Sequence, residues 1–123
     1  MKTIFAVVAS FALFSAVVYV AAPVEAENKI PESGVCVVEF NASFNASNSV
    51  DWIDDLSDCK GKRIDIVAQP DMQKEHKIVV VPTIIIFNDN EEIKRFQANI
   101  MMQLEASKED VQEAVDEIIM SAF

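Results

Sequence analysis

Ile78-Val79-Val80-Val81-Pro82-Thr83-Ile84-Ile85-Ile86-Phe87 runs directly into Asn88-Asp89-Asn90. Thr83 to Phe87 is an unbroken run of strand formers, the pattern of a strand buried on both faces. Pro82 has no amide hydrogen to give a ladder, so it marks where pairing stops. Asn88-Asp89-Asn90 supplies small polar residues that tolerate positive φ, which predicts a hairpin turn. Glu91 to Gln97 is then the partner strand. Its alternation, with Ile93, Arg95 and Gln97 against Glu92, Lys94 and Phe96, points to a sheet edge.

Working outward, Val35-Cys36-Val37-Val38-Glu39-Phe40 is a second nearly continuous apolar run and predicts a central strand. Asn41 to Ser49 is rich in Asn, Ser and Ala and predicts a loop and a helix start, with Asn48 and Ser49 as caps. The helix that follows places Val50 and Ile53 on one stripe and Trp52 and Leu56 on the next. Asp51, Asp54, Asp55 and Asp58 then solvate its outer face. Cys59-Lys60-Gly61-Lys62 predicts a turn and Arg63 to Val67 a strand. Pro70 opens a short helix over Asp71 to Lys77. At the far end, Ser107-Lys108-Glu109-Asp110 has the form of a capping box. Val111, Ala114, Val115, Ile118, Ile119 and Ala122 follow it at helical spacing. The predicted order is β-α-β-α-β-β-α. Strands separated by helices pair in parallel, and the tight turn makes the last pair antiparallel.

The chain has 123 residues, about one domain, with 10 Lys+Arg against 20 Asp+Glu and a net charge of −10. That charge argues against a nucleic-acid partner, because phosphate binding needs a basic face. An apolar fraction of 51% is too high for a disordered chain. One His and two Cys leave little for a zinc site. The Asp run from Asp51 to Asp58 lacks the spacing of a calcium loop. No phosphate-binding loop or nucleophile elbow occurs, so neither a metal nor a cofactor is expected.

From Ile4 to Ala22 no residue is charged, after Lys2 supplies one early positive charge. Val24-Glu25-Ala26 then offers the small-residue pattern of a signal-peptidase site, with cleavage after Ala26. The alternative is an uncleaved anchor, since the run approaches the roughly 20 residues that span a bilayer. Residues 1–26 are thus a signal, 27–34 a short leader and 35–123 the domain. Both alternatives deliver the domain outside the cytoplasm, periplasmic or secreted, and only the uncleaved form would associate with a membrane.

The order of elements, with Val81-Pro82-Thr83 opening the third strand, resembles the thioredoxin family. The resemblance covers roughly Val35 to Met120. It implies an α/β fold: a minimal four-stranded mixed sheet with helices on both faces, lacking the family's optional first strand and helix. It also implies a cis Val81–Pro82 bond. In redox-active members a Trp-Cys-Gly-Pro-Cys stretch follows the first of these strands. The aligned stretch here is Phe44-Asn45-Ala46-Ser47-Asn48, and Asn45 and Asn48 stand in for the two cysteines. An amide is not a nucleophile, so the family's dithiol exchange is not expected at this place. What the resemblance leaves is a shallow peptide groove formed by Phe44, Asn45, Ala46, Ser47, Asn48, Val81 and Pro82, occupied or merely inherited. Glu39 falls at the family's buried acid, and pairing with Arg63 or Lys62 is its simplest role.

Three further features are candidates. Cys36 and Cys59 fall at the same end of the sheet, as a structural disulfide, as two buried thiols or as a redox pair. Asn41-Ala42-Ser43 and Asn45-Ala46-Ser47 both satisfy the glycosylation sequon. Asn99 to Leu104 holds four large apolar residues, Ile100, Met101, Met102 and Leu104, where the family has a short turn. They pack under the last helix or form a contact surface for a partner or a second copy. His76 reads as a surface or packing residue. The function expected is a non-catalytic protein- or peptide-binding or scaffolding module. The alternatives are an oxidoreductase using Cys36 and Cys59, and a docking subunit of a larger assembly.

Overall fold

The computed structural model describes residues 29–123. The signal, its cleavage site and the first residues of the leader lie outside the described residues. Four strands form one sheet in the order β2-β1-β3-β4. They are β1 (Val35–Asn41), β2 (Lys60–Asp65), β3 (Thr83–Asn88) and β4 (Glu91–Gln97). β1 pairs in parallel with β2 and antiparallel with β3, and β3 pairs antiparallel with β4. The edge position of β4 is as its alternation predicts.

The two central strands are mostly apolar because both of their faces are covered, with Glu39, Asn41 and Thr83 as their buried polar residues. Cys36, Val38, Phe40, Ile85 and Phe87 point to one face. There they meet Ile78, Val81 and Met72, the last from helix α1 (Pro70–His76). Val37, Ile84 and Ile86 point to the other face. They are covered by Val111, Ala114 and Val115 of helix α2 (Lys108–Ser121) and by Ile53 and Leu56. His76 is a packing residue, its ring 5.5 Å from that of Phe40 and 5.2 Å from that of Phe87.

Local signals are satisfied where side chains and backbone cooperate. Asp110 N–H donates to Ser107 Oγ at 3.1 Å and Ser107 N–H donates to Asp110 Oδ2 at 2.9 Å, which completes the capping box. Asp89 and Asn90 take φ of 54° and 69° in the hairpin. Gly34 N–H donates to Asp89 Oδ1 at 2.8 Å and ties the hairpin to the entry of β1.

Two expectations are corrected. The α-helix expected after Asn48 does not form. The segment makes two 3-10 helices, Ser43–Asn48 and Ile53–Asp55. Its Asn side chains bond to nearby backbone and to each other instead of capping a helix. The polar groups of Val50 are also claimed from the sheet. Its N–H donates to Glu39 Oε2 at 2.9 Å and its carbonyl accepts from Arg63 at 2.8 Å. The apolar part of the expectation holds, since Ile53 and Leu56 are buried. The second correction concerns β2, which begins at Lys60 where a turn was expected. Gly61 explains it. A Cβ there would lie 2.2 Å from the Ile53 carbonyl oxygen, so only glycine lets the strand run under that turn.

Candidate functional site

The end of β1 delivers the chain into the first 3-10 helix, and Asn45 sits there with 3% of its surface exposed. A buried amide must find partners or forfeit its hydration. The Asn45 Nδ2 group has three oxygens around it. They are Asn41 Oδ1 at 3.1 Å, the Met102 carbonyl at 3.2 Å and the Val81 carbonyl at 3.4 Å. Its own oxygen accepts from Asn48 Nδ2 at 2.8 Å. Asn41 Nδ2 completes the network, donating to the Asn45 carbonyl at 3.1 Å and to Ser49 Oγ at 2.7 Å. One side chain thus joins the 3-10 helix, the turn before β3 and the loop before α2. The Val81–Pro82 bond beside it is cis.

The loop before α2 is built on Asn99. Its side-chain oxygen accepts from Met101 N–H at 2.8 Å and Gln103 N–H at 3.2 Å. Its N–H donates to the Gln103 carbonyl at 3.0 Å, and its amide donates to Glu105 Oε2 at 3.0 Å. With its turn held from within, the loop displays Ile100 at 98% exposure. The segment is divided in its roles. Leu104 packs against the α2 core, Met102 faces a cleft, and Ile100 and Met101 face solvent.

That cleft has a volume of about 310 Å³. Phe44 and Ile100 stand at its rim, with Ile66, Ile78 and Val79 to Val81 along its walls. Phe44 is 72% and Val79 77% exposed, so the apolar surface continues outward. Residues 79–81 belong to no strand, since the ladder with β4 starts at Thr83. Of the groove residues expected, Phe44 and Val81 line the cleft, while Asn45 and Asn48 belong to the network. Pro82 is buried, Ser47 is exposed, and Ala46 faces a separate cavity of about 330 Å³. The sequence reading missed Ile66, Val79 and Asn99. An Asn directly before the apolar run Ile100-Met101-Met102 was the available signal for the last.

Glu39, 1% exposed, pairs with Arg63, its register partner on β2. Burial raises its pKa, and the Val50 amide and Arg63 only partly offset this. Cys36 and Cys59 are free thiols and form no bridge. Cys36 packs in the α1-side core and Cys59 against the α2-side core. Burial raises both, Cys59 to about 11 with further upward pushes from Cys36, Asp58 and Asp116. Among the described residues no group of three or more His, Cys, Asp or Glu is placed to hold a metal.

The architecture is that of the thioredoxin fold. No protein-family model matches the chain, and no curated protein matches it. Solved thioredoxins do match it in structure. A Schistosoma mansoni thioredoxin superposes with a TM-score of 0.59 at 17% identity, over 77% of this chain and 86% of its own. A mutant thioredoxin from Halobacterium salinarum gives 0.58 at 14% identity, over 69% and 74%. A thioredoxin-2 described as a component of malaria parasite protein secretion machinery gives 0.57 at 14%, over 73% and 89%. At these identities the likeness is one of fold.

Proposed function

We propose that the chain is an exported, thioredoxin-like binding module that holds a protein or peptide segment without thiol chemistry. The observation that carries this reading is the Asn45 network beside the apolar cleft. The position that the resemblance gives to a nucleophile holds a buried amide whose donors are all engaged by oxygens. Next to it, Phe44, Val79 and Ile100 present apolar surface of the kind that marks binding sites. The backbone of residues 79–81, outside the ladder, is suited to pairing with an added strand. Export rests on the uncharged run from Ile4 to Ala22 and the Val-Glu-Ala site.

The thiols support the same reading. Exchange needs an accessible thiolate, and burial holds both cysteines in the thiol form. The oxidoreductase reading therefore has the weaker chemistry.

The test is titration of the labelled protein with a peptic digest of a reduced, alkylated carrier protein. Backbone NMR shifts are expected at Phe44, Val79 and Ile100, and Ile100→Asp should remove them without unfolding the chain. In parallel, dithiol-driven reduction of a protein disulfide should run no faster with the chain than without it. Acceleration abolished by Cys36→Ser would return the oxidoreductase reading.

One observation favours a second reading, a docking subunit. Ile100 and Met101 project from a preformed loop, as a contact knob would. Migration as a complex on a sizing column, released by Met101→Asp, would support it.

A further inference from the structure

Two backbone periods build a second cavity. β1 and β2 pair with Glu39 opposite Arg63 and Asn41 opposite Asp65. At a period of two, these four side chains share one face of the sheet. Ser43, Ala46 and Ser49 recur at every third residue along the first 3-10 helix and its C-cap, so they share one edge of it. The two sets line one cavity of about 330 Å³, with Ala42 where they meet. It is separate from the apolar cleft of Phe44 and Val79.

The polar groups of this cavity divide into engaged and open ones. Both oxygens of Glu39 are engaged, one by Arg63 Nη1 and the other by the Val50 amide. Asn41 is engaged in the Asn45 network through both ends of its amide. Arg63 uses only Nη1, on Glu39 and on the Val50 carbonyl at 2.8 Å. Among the described residues no atom accepts from its Nε and Nη2 groups. Those two N–H groups form the fork that matches a carboxylate. Two positions along β2, roughly 7 Å away on the same face, Asp65 accepts from Val67 N–H with Oδ1 and keeps Oδ2 open. Ser49 Oγ accepts from Asn41 and still has its own proton to donate.

Charge decides what fits. Glu39 and Arg63 offset each other, so the lining as a whole is negative by Asp65. The surroundings do not reverse this. Lys60 and Lys62 belong to the opposite face, in register with Cys36 and Val38. Asp51 follows Val50 and is exposed, and Asp54 lies by Gly61. A lone anion on the Arg63 fork would face Asp65, and a lone cation on Asp65 would face Arg63. A ligand that carries both charges side by side satisfies the two together.

We propose that this cavity binds a free α-amino acid as its zwitterion. The carboxylate lies on the Arg63 fork, the ammonium on Asp65, and a small apolar side chain against Ala42 and Ala46. The Ser49 hydroxyl adds a third donor for the carboxylate. Glu39 is a positioning residue, since it holds the far side of the guanidinium and fixes the fork before the ligand arrives. Such preorganisation lowers the ordering cost of binding.

The experiment titrates the protein with L-valine, isovalerate and isobutylamine, followed by backbone NMR. The last two are L-valine without its ammonium and without its carboxylate. L-Valine is expected to shift Ala42, Ala46 and Ser49 and to bind about tenfold more tightly than either half-molecule. Asp65→Asn keeps the acceptor for Val67 N–H. It should weaken L-valine about tenfold and leave isovalerate unweakened. Arg63→Lys keeps a cation beside Glu39 but removes the fork, and should weaken L-valine and isovalerate alike. No shift at millimolar L-valine overturns the site. Isovalerate or isobutylamine binding as tightly as L-valine makes it a simple ion site and overturns the zwitterion. So does an unchanged L-valine affinity in Asp65→Asn. Shifts at Phe44, Val79 and Ile100 instead would put the ligand in the apolar cleft and overturn the assignment. Each of these failures leaves the peptide-binding reading standing, because that reading is tested with peptides at the other cleft.

Discussion

The Asn45 side chain donates to the Met102 carbonyl oxygen at 3.2 Å, across a sequence separation of 57. Through that contact and the one to Val81, three loops meet on a single amide. Asn45→Ala removes the donor and leaves those buried oxygens without it. Each such loss costs about 1–3 kcal/mol, so a fall in the denaturant midpoint of that order is expected. Asn45→Asp places a carboxylate among oxygens and should lose more at neutral pH. Its stability should partly recover in acid, as the carboxyl takes up its proton.

Glu39 gives a second test. Burial raises its pKa in the folded chain above the ordinary 4.5. The folded state therefore binds this proton more tightly than the unfolded state. Glu39's contribution to stability is thus fully present below the ordinary pKa and falls as pH rises through the raised one. Glu39→Gln keeps the shape and removes the titration. Denaturant midpoints measured from about pH 4 to about pH 8 should then show a flatter decline in the variant than in the parent. Glu92, lowered by Arg95, acts in the opposite sense in both proteins and cancels in the comparison.

The thiols predict slow chemistry. With Cys59 pushed up to about 11 and Cys36 raised in a core strand, alkylation of the folded protein should be slow at mildly alkaline pH. Unfolding should release two reactive thiols. A mass lower by a pair of protons, with no trapping after unfolding, would mean that the cysteines had paired.

The two sequons should stay empty in folded protein. Asn41 is 8% and Asn45 3% exposed, and the amide nitrogen of each is a donor in the network. A sugar on either nitrogen would replace a hydrogen that the network uses and would need space that is filled. Material from a glycosylating host should keep its mass after enzymatic deglycosylation, and any glycosylated fraction should be protease-sensitive.

Ile100→Asp should leave thermal stability nearly unchanged, because the side chain is 98% exposed. Asn99→Ala should loosen the loop, with faster amide exchange at Met101 and Gln103, whose N–H groups bond to the Asn99 side chain. Equal protection in variant and parent would show that Asn99 does not build the turn.

The sheet was legible because its strands obey strong local rules. Val35 to Phe40, apart from Glu39, and Ile84 to Phe87 are apolar on both faces, and Asp89-Asn90 can adopt positive φ. The capping box at Ser107 was legible for the same reason. The segment from Ser43 to Leu56 was not. Its apolar spacing fits a helix, but its outcome depends on Glu39 and Arg63, which reach Val50 from the sheet. The start of β2 depends on the space above Gly61, which no pattern in the sequence reports. At the site, the place of Phe44 and Val81 was readable from the resemblance. The joining of the Ile100 loop to that place was not, because the bond from Asn45 to Met102 is a tertiary event.

The clamp at Asn45 also governs which chemistries this chain can reach by substitution. A thiol at that position offers one weak donor where the amide offers two strong ones. Asn45→Cys alone would set the Met102 and Val81 turns adrift, and Asn48 would lose the oxygen that receives its amide. A route to a redox dithiol must therefore rebuild the 99–105 loop and replace both asparagines together. The Asn45 network thus ties any change at this position to the 99–105 loop and to the turn at Val81.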